Sequence, residues 1–146
     1  MPKYVYQARD SAGKLAAELP RRDAANRGFA EGWAAPGHDD AGWGGMDLPG
    51  AWQNHGHPGS GVFWFRRAIA VPPAWRGRDL ELRIGAVDKH DDTYVQGERV
   101  GGLSWDDGGD TWCRPRAYRV PGRLVAGDRL VIAVRARSDR KSTRLN

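Results

Sequence analysis

The sequence predicts an all-β protein, built as an antiparallel β-sandwich. Apolar segments of strand length recur roughly every 10–15 residues in its second half. Turn-forming residues separate these segments, and the chain contains 20 glycines and nine prolines. No helical periodicity lies between the segments, which disfavours a parallel sheet because parallel strands need long crossovers that are usually helical.

The strand pattern is clearest from residue 61 onward. A long apolar stretch, 62–71, is bounded by Gly61 and Pro72. Segment 79–84 alternates, which places Leu80, Leu82 and Ile84 on one face. Further strands are predicted at 93–95, 98–100, 118–120 and 130–136.

A hairpin is predicted where segments 93–95 and 98–100 flank Gln96-Gly97. A two-residue connection between two strands is hairpin spacing, and glycine readily takes positive φ. Glutamine tolerates the left-handed conformation less well than asparagine, so the turn is expected to be less ideal or of another type.

The N-terminal third lacks this pattern. Residues 1–30 are predicted to be a lead-in or linker, with a short helix from about Arg22 to Glu31 that Gly32 ends. Residues 31–61 are rich in turn-forming residues. We therefore expect one domain, the β-sandwich, over residues 31–138.

Composition excludes several classes of protein. Apolar residues make up 40 % of the chain and charged residues 28 %, as in globular proteins. No apolar run approaches the roughly 20 residues of a membrane span, so no membrane partner is expected. The single cysteine, Cys113, cannot form an internal disulfide. The net charge is +5, but acidic residues are interspersed, so no nucleic-acid partner is expected either.

No catalytic residue is expected in this chain. The sequence has no Gly-x-Ser-x-Gly elbow, no His-Glu-x-x-His and no glycine-rich phosphate-binding loop. A triad assembled from residues distant in sequence stays open.

Metal-binding patterns are weak, and no cofactor or metal is expected. His55 and His57, with Asp39 or Asp40, have the spacing of a loose metal site, but a polar loop explains them as well. The carboxylates in 88–92 and 106–110 match no calcium loop and are interpreted as solvated turns, with a structural calcium as the alternative.

The tryptophans divide by context. Trp33, Trp43 and Trp64 lie beside apolar residues and are predicted to pack in the interior. Trp75 lies in a proline-bounded turn and is predicted to cover one end of the core.

The remaining tryptophans lie in polar, glycine-rich loops. They are candidates for stacking on sugars, or for packing against their own or a neighbouring domain. Nearby charged side chains are candidates for bonding sugar hydroxyls, with ordinary surface charge as the alternative. The carbohydrate-binding candidates are Trp52, Trp105, Trp112, Asp91 and Arg114. Arg116 is a further candidate for bonding sugar hydroxyls, and either arginine is also a candidate for pairing with an acidic group.

An ordered series of Trp, Gly and Asp positions is more specific than any of these motifs. It begins at Trp33 and continues through 36–43, 46–52, 61–67, 73–82, 85–88, 91–101, 118–121 and 132–135. The series resembles the galactose-binding-like jelly roll of sialate O-acetylesterases over about residues 33–137. It is similar, more loosely, to the sugar-binding domain of family-two glycoside hydrolases.

The resemblance implies a non-catalytic accessory or carbohydrate-binding module. Its implied partners are an adjacent esterase domain of the Gly-Asp-Ser type in the parent chain, and glycans. Neither Gly-Asp-Ser nor Asp-x-x-His occurs here, so the catalytic residues of the family carry onto no position. A free-standing lectin-like domain and the family-two domain are the alternatives. The compartment is left open, and a periplasmic or secreted parent is compatible with the resemblance.

The end of the chain departs from that resemblance. Residues 139–146 resemble a translated sequencing adapter and are predicted to be a non-native tail. We expect the sandwich to be truncated there, with a further strand missing and one sheet edge unpaired.

Overall fold

The computed structural model describes residues 3–4, 17–23, 26–47, 61–87, 90–104, 107 and 111–138. The strands are β1 (Lys3–Tyr4), β2 (Ala17–Arg22), β3 (Met46–Asp47), β4 (Gly61–Ala70), β5 (Leu80–Ala86), β6 (His90–Val95), β7 (Glu98–Leu103), β8 (Pro115–Val120) and β9 (Arg129–Ser138). Short 3-10 helices lie in the described connections at Pro73–Trp75, Thr111–Cys113 and Gly122–Leu124. No described helix has the length and apolar character that a bilayer crossing needs.

The strands form two sheets. One has the order β1-β5-β8 and the other the order β3-β2-β4-β9-β6-β7. Every pairing is antiparallel except the short one between β1 and β5. The predicted all-β, antiparallel sandwich is confirmed.

The main core lies between the two sheets. Alternation along β5 buries Leu80 and Leu82 fully and packs Ile84 against them, as predicted. Strand β9 supplies Leu130 and Ile132 to the same cluster. Apolar burial of this kind is the main force holding the two sheets together.

A second cluster covers the outer face of the six-stranded sheet. Trp64 of β4 and Ala133 of β9 project outward and are fully buried by the turn-rich segment that carries Trp33. Trp43 packs partly buried against this cluster, so the interior placement predicted for these three tryptophans is confirmed. Trp75 packs partly buried against the main core, again as predicted.

The helix predicted from Arg22 to Glu31 is wrong. Arg22 ends strand β2, and residues 28–34 form consecutive turns. Strand β2 lies in the segment interpreted as a lead-in, yet it pairs with β4 from Leu19 to Arg22. The segment therefore contributes a strand to the larger sheet.

The predicted hairpin connects β6 to β7, and both of its turn residues have positive φ. Gln96 has φ 52° and Gly97 has φ 80°, the signature of a type I′ turn. The Gln96 side-chain Oε1 accepts a hydrogen bond from the Val131 N–H at 2.8 Å, and the Gln96 N–H donates to the Val131 carbonyl at 3.0 Å. Glutamine thus replaces the usual asparagine by tethering the turn to β9.

Candidate functional site

A buried carboxylate organises the end of the sandwich where β6, β7 and β8 meet. Alternation on β6 turns Asp91 inward, where its side chain is 0 % exposed. Its Oδ2 accepts hydrogen bonds from Thr93 Oγ1 and Tyr118 Oη, each at 2.8 Å. Its Oδ1 accepts from Arg116 Nε at 2.7 Å and from the Leu103 N–H at 3.3 Å. Asp91 therefore joins three strands through one charged group.

Arg116 extends this network to the turn before β8. Its guanidinium is also 0 % exposed, and its Nη1 donates to the carbonyls of Thr111 and Arg114. Because these carbonyls begin and end the turn, the ion pair holds it against the sheets. Charge-assisted hydrogen bonds of this kind are stronger than neutral ones.

The pKa of the Tyr118 hydroxyl lies well above its ordinary value of 10.0. Burial is the largest cause, and the negative charge of Asp91 adds to it. Tyr118 therefore stays protonated and donates to Asp91 throughout the physiological range.

The structure brings three of the five predicted carbohydrate-binding residues into one neighbourhood. Trp112 lies in the 3-10 helix Thr111–Cys113, and exposed Arg114 follows it, on the turn that the Asp91–Arg116 pair holds. The carboxylate of Asp91 itself bonds to groups inside the domain. Trp52 and Trp105, and the side chain of Trp112, lie outside what the structure describes. Carbohydrate binding by the five residues stays a prediction.

On the outer face, two buried polar side chains anchor the turn-rich segment 26–44. Asp23 accepts from the Gly28 N–H at 2.8 Å and from Trp64 Nε1 at 2.9 Å. Arg66 is 2 % exposed. It donates to the carbonyls of Trp33, Ala35 and His38, and its Nε pairs with Asp40 Oδ2 at 3.0 Å. A Cβ at Gly28 would lie 2.3 Å from Trp64 Nε1, so this approach requires glycine.

These anchors leave an open groove of about 500 Å³ between the turn segment and the β6–β7 hairpin. Its walls are largely apolar and aromatic. Phe29 and Pro36 come from the turn segment, Tyr94 comes from β6, and Gln96 and Glu98 come from the hairpin. Phe29 is 51 % exposed, the largest exposure of any large apolar side chain in the described residues. We call this feature the aromatic groove.

A smaller polar cleft of about 180 Å³ lies beside it on the same sheet face. Asp92 lines this cleft, with Arg99 Nε at 3.0 Å from one carboxylate oxygen and Arg135 Nη1 at 3.5 Å from the other. The negative charge of Asp92 on β6 is therefore paired with the positive charges of Arg99 on β7 and Arg135 on β9.

The described ranges contain no group of three or more His, Cys, Asp and Glu side chains placed to hold a metal ion. Asp40, a candidate ligand in the sequence, is paired with Arg66. His55 and His57 lie outside the described residues, as do Asp106 and Asp110, so the calcium alternative stays a prediction.

Sequence reasoning missed the groups that shape the outer face: Asp23, Phe29, Arg66 and Tyr94. One signal for Arg66 was present, because it lies two residues after Trp64 on a largely apolar strand and so shares the face of that tryptophan. An arginine on a face that already carries tryptophan indicates a covered surface with acceptors for its five donors.

Comparison with known proteins gives the fold a precedent. No family model and no curated protein matches this sequence. Solved structures of the β-glucuronidase from Ruminococcus gnavus share the fold: one has a TM-score of 0.70 at 17 % identity, over 84 % of this chain and 20 % of that chain. Its complex with D-glucuronic acid has a TM-score of 0.70 at 17 % sequence identity, and the match covers 84 % of this chain and 21 % of that chain. The complex with uronic deoxynojirimycin has a TM-score of 0.69 at 17 % sequence identity, and the match covers 84 % of this chain and 20 % of that chain. The chain spans about a fifth of the length of these structures.

Proposed function

We propose that this chain is a non-catalytic accessory or carbohydrate-binding β-sandwich of a carbohydrate-active hydrolase. The observation that carries the proposal is the shared fold, which covers 84 % of this chain but only 20 % of the R. gnavus β-glucuronidase chain. In this proposal the domain forms a small part of its parent protein and packs against a larger domain. In this proposal the reaction takes place in that larger part of the parent protein.

Two parents are compatible with this role. The solved structures favour the sugar-binding domain of a family-two glycoside hydrolase. The ordered series of Trp, Gly and Asp positions in the sequence favours a sialate O-acetylesterase, with a Gly-Asp-Ser-type domain as the neighbour. Sequencing the flanking reading frame distinguishes them, because only the esterase parent carries a Gly-Asp-Ser segment.

The accessory role is tested by activity. The full chain is incubated with an O-acetylated sialoside and with an aryl β-glucuronide, and acetate and phenol release are followed. We expect release no faster than in buffer. Sustained release that scales with protein concentration, and that persists through further purification, would overturn the accessory role.

A free-standing lectin-like domain is the second candidate, and the aromatic groove is the observation that favours it. Titration with galactosides and sialosides, followed by tryptophan fluorescence, tests whether the chain binds sugar at all. Saturable binding supports a carbohydrate-binding role, whether accessory or free-standing, whereas a flat response supports a domain that only packs against its neighbour. The flanking reading frame separates the accessory role from the free-standing one, because only the accessory domain has a hydrolase domain beside it.

A further inference from the structure

We infer that the aromatic groove binds a neutral saccharide, with Phe29 and Tyr94 as its apolar surfaces and the Tyr94 hydroxyl as a hydrogen-bonding group. The inference rests on the proposed function, since it names the ligand class for a carbohydrate-active domain. It places that ligand on the outer face of the six-stranded sheet, away from the turn that carries Trp112.

Phe29 is held as a fixed aromatic surface. The Arg135 guanidinium lies over its ring, with Cζ 4.8 Å from the centroid. Trp64 and Tyr94 meet the ring edge-to-face, at centroid distances of 5.5 and 6.5 Å. Contacts of this kind are favourable, and they orient a ring that is 51 % exposed. A pre-oriented side chain loses little conformational entropy when a ligand binds.

Tyr94 adds a polar group to the same wall. Its ring stacks on Trp64 at 5.8 Å and 25°, which fixes the side chain, yet its hydroxyl makes no hydrogen bond to any described residue. Burial raises the pKa of Tyr94, and the negative charge of Asp92 raises it further, so the hydroxyl keeps its proton. The groove therefore offers a hydrogen-bonding hydroxyl beside an apolar surface.

The combination fits a saccharide better than a purely apolar ligand. A pyranose ring presents C–H groups on its faces and hydroxyls at its edges. It therefore matches a site where an aromatic surface adjoins a hydroxyl and a carboxylate. A volume of about 500 Å³ also lies within the ~300–1,000 Å³ typical of small-molecule sites.

The charge of the lining selects a neutral sugar. Glu98 carries the one carboxylate among the described lining residues, and it accepts hydrogen bonds from Nη1 and Nη2 of Arg123, which lies outside the groove. Those hydrogen bonds lower the pKa of Glu98, so it is ionised at neutral pH. Because the Glu98–Arg123 pair is neutral overall, the described lining holds no unpaired charge that would attract a carboxylated sugar.

Saturation-transfer NMR on the full chain tests the inference. The probes are methyl β-D-glucopyranoside, methyl β-D-galactopyranoside and methyl β-D-glucuronide. We expect transfer from aromatic protons to the ring C–H groups of a neutral glycoside. Phe29→Ala should weaken binding roughly tenfold, and Phe29→Leu, which keeps the bulk without the ring, should also weaken it. Tyr94→Phe should weaken it roughly threefold or more.

Arg76→Ala is the matched control, because Arg76 is exposed on the connection between β4 and β5 and does not line the groove. Near-UV circular dichroism confirms that each variant keeps its tertiary structure. Binding that survives both Phe29 variants but disappears in Trp112→Ala overturns the groove and supports the turn site. Transfer to none of the three glycosides also overturns it, while the turnover assay judges the accessory role separately. Equal affinity for the glucuronide overturns the selection of a neutral sugar.

Discussion

Two buried arginines, Arg66 and Arg116, hold irregular segments of the chain against the sheets. Arg66 and Arg116 each project from a strand, pair with one carboxylate and donate to the carbonyls of a connecting segment. Both segments lack regular backbone pairing, so their carbonyls need donors wherever they are buried. A guanidinium can serve several acceptors at once, which explains why arginine occupies both positions.

Asp91→Asn tests this role at the most buried pair. The variant removes the negative charge and leaves the Arg116 guanidinium buried without its counter-ion. We expect a loss of about 3–5 kcal/mol in the free energy of unfolding, measured by chemical denaturation. Glu98→Gln, which breaks an exposed pair, is the control and should leave the midpoint nearly unchanged. Equal effects of the two variants would contradict the structural role of the buried pair.

Tyr118 predicts how stability changes at alkaline pH. Its pKa is raised in the folded state, so the unfolded chain releases this proton first, near the ordinary value of 10.0. The stabilisation is fully present below pH 10 and is lost progressively as pH rises above it. Tyr118→Phe should lower stability at neutral pH but give a flatter decline above pH 10, measured by urea unfolding between pH 8 and 11. Parallel curves for the two proteins would show that Tyr118 does not titrate as described.

At the scale of elements, the β6–β7 hairpin shows how a side chain compensates an unfavourable backbone conformation. Gln96 adopts φ 52°, a region that favours glycine and asparagine, and its Oε1 bond to the Val131 N–H offsets that cost. Gln96→Ala keeps the conformational cost and removes the bond, so we expect a loss of about 1 kcal/mol in the free energy of unfolding. The Gln96→Asn side chain is also too short to reach Val131, but asparagine tolerates the positive φ better. The midpoint of its thermal unfolding should therefore lie between those of the alanine variant and the parent protein. An asparagine variant less stable than the alanine variant would contradict this account.

The same elements show how far the sequence predicts the fold. Period-two alternation is a local property, so it located β5 and β9 and the inward faces of Leu80 and Leu82. Strand β2 was missed because Pro20 lies inside it, and a proline normally argues against a strand interior. The Asp91–Arg116 pair joins positions 25 residues apart, and no local pattern encodes which carboxylate an arginine will meet. The aromatic groove was missed for the same reason, since its walls come from segments distant in sequence.

At the scale of the whole molecule, strand β9 belongs to both interiors. Its Leu130, Ile132 and Val134 face the core between the sheets, while Ala133 faces Trp33 and Trp64 on the outer side. Strand β4 divides its side chains in the same way, with Phe63 and Phe65 inward and Trp64 outward. Because the two central strands are shared, unfolding of the sheet that they form exposes both interiors together.

Leu82→Ala tests this coupling, because Leu82 belongs to the core between the sheets and not to the tryptophan cluster. Deleting a fully buried leucine side chain should cost about 2–5 kcal/mol. Tryptophan fluorescence, to which the outer cluster contributes, and far-ultraviolet circular dichroism, which reports the sheets, should move to lower denaturant together, as expected for one cooperative unit. Arg83→Ala, on the exposed face of the same strand, should shift both curves by no more than about 0.5 kcal/mol. A fluorescence transition that stays at its parental midpoint while the sheet signal shifts would show that the outer cluster unfolds independently of the core.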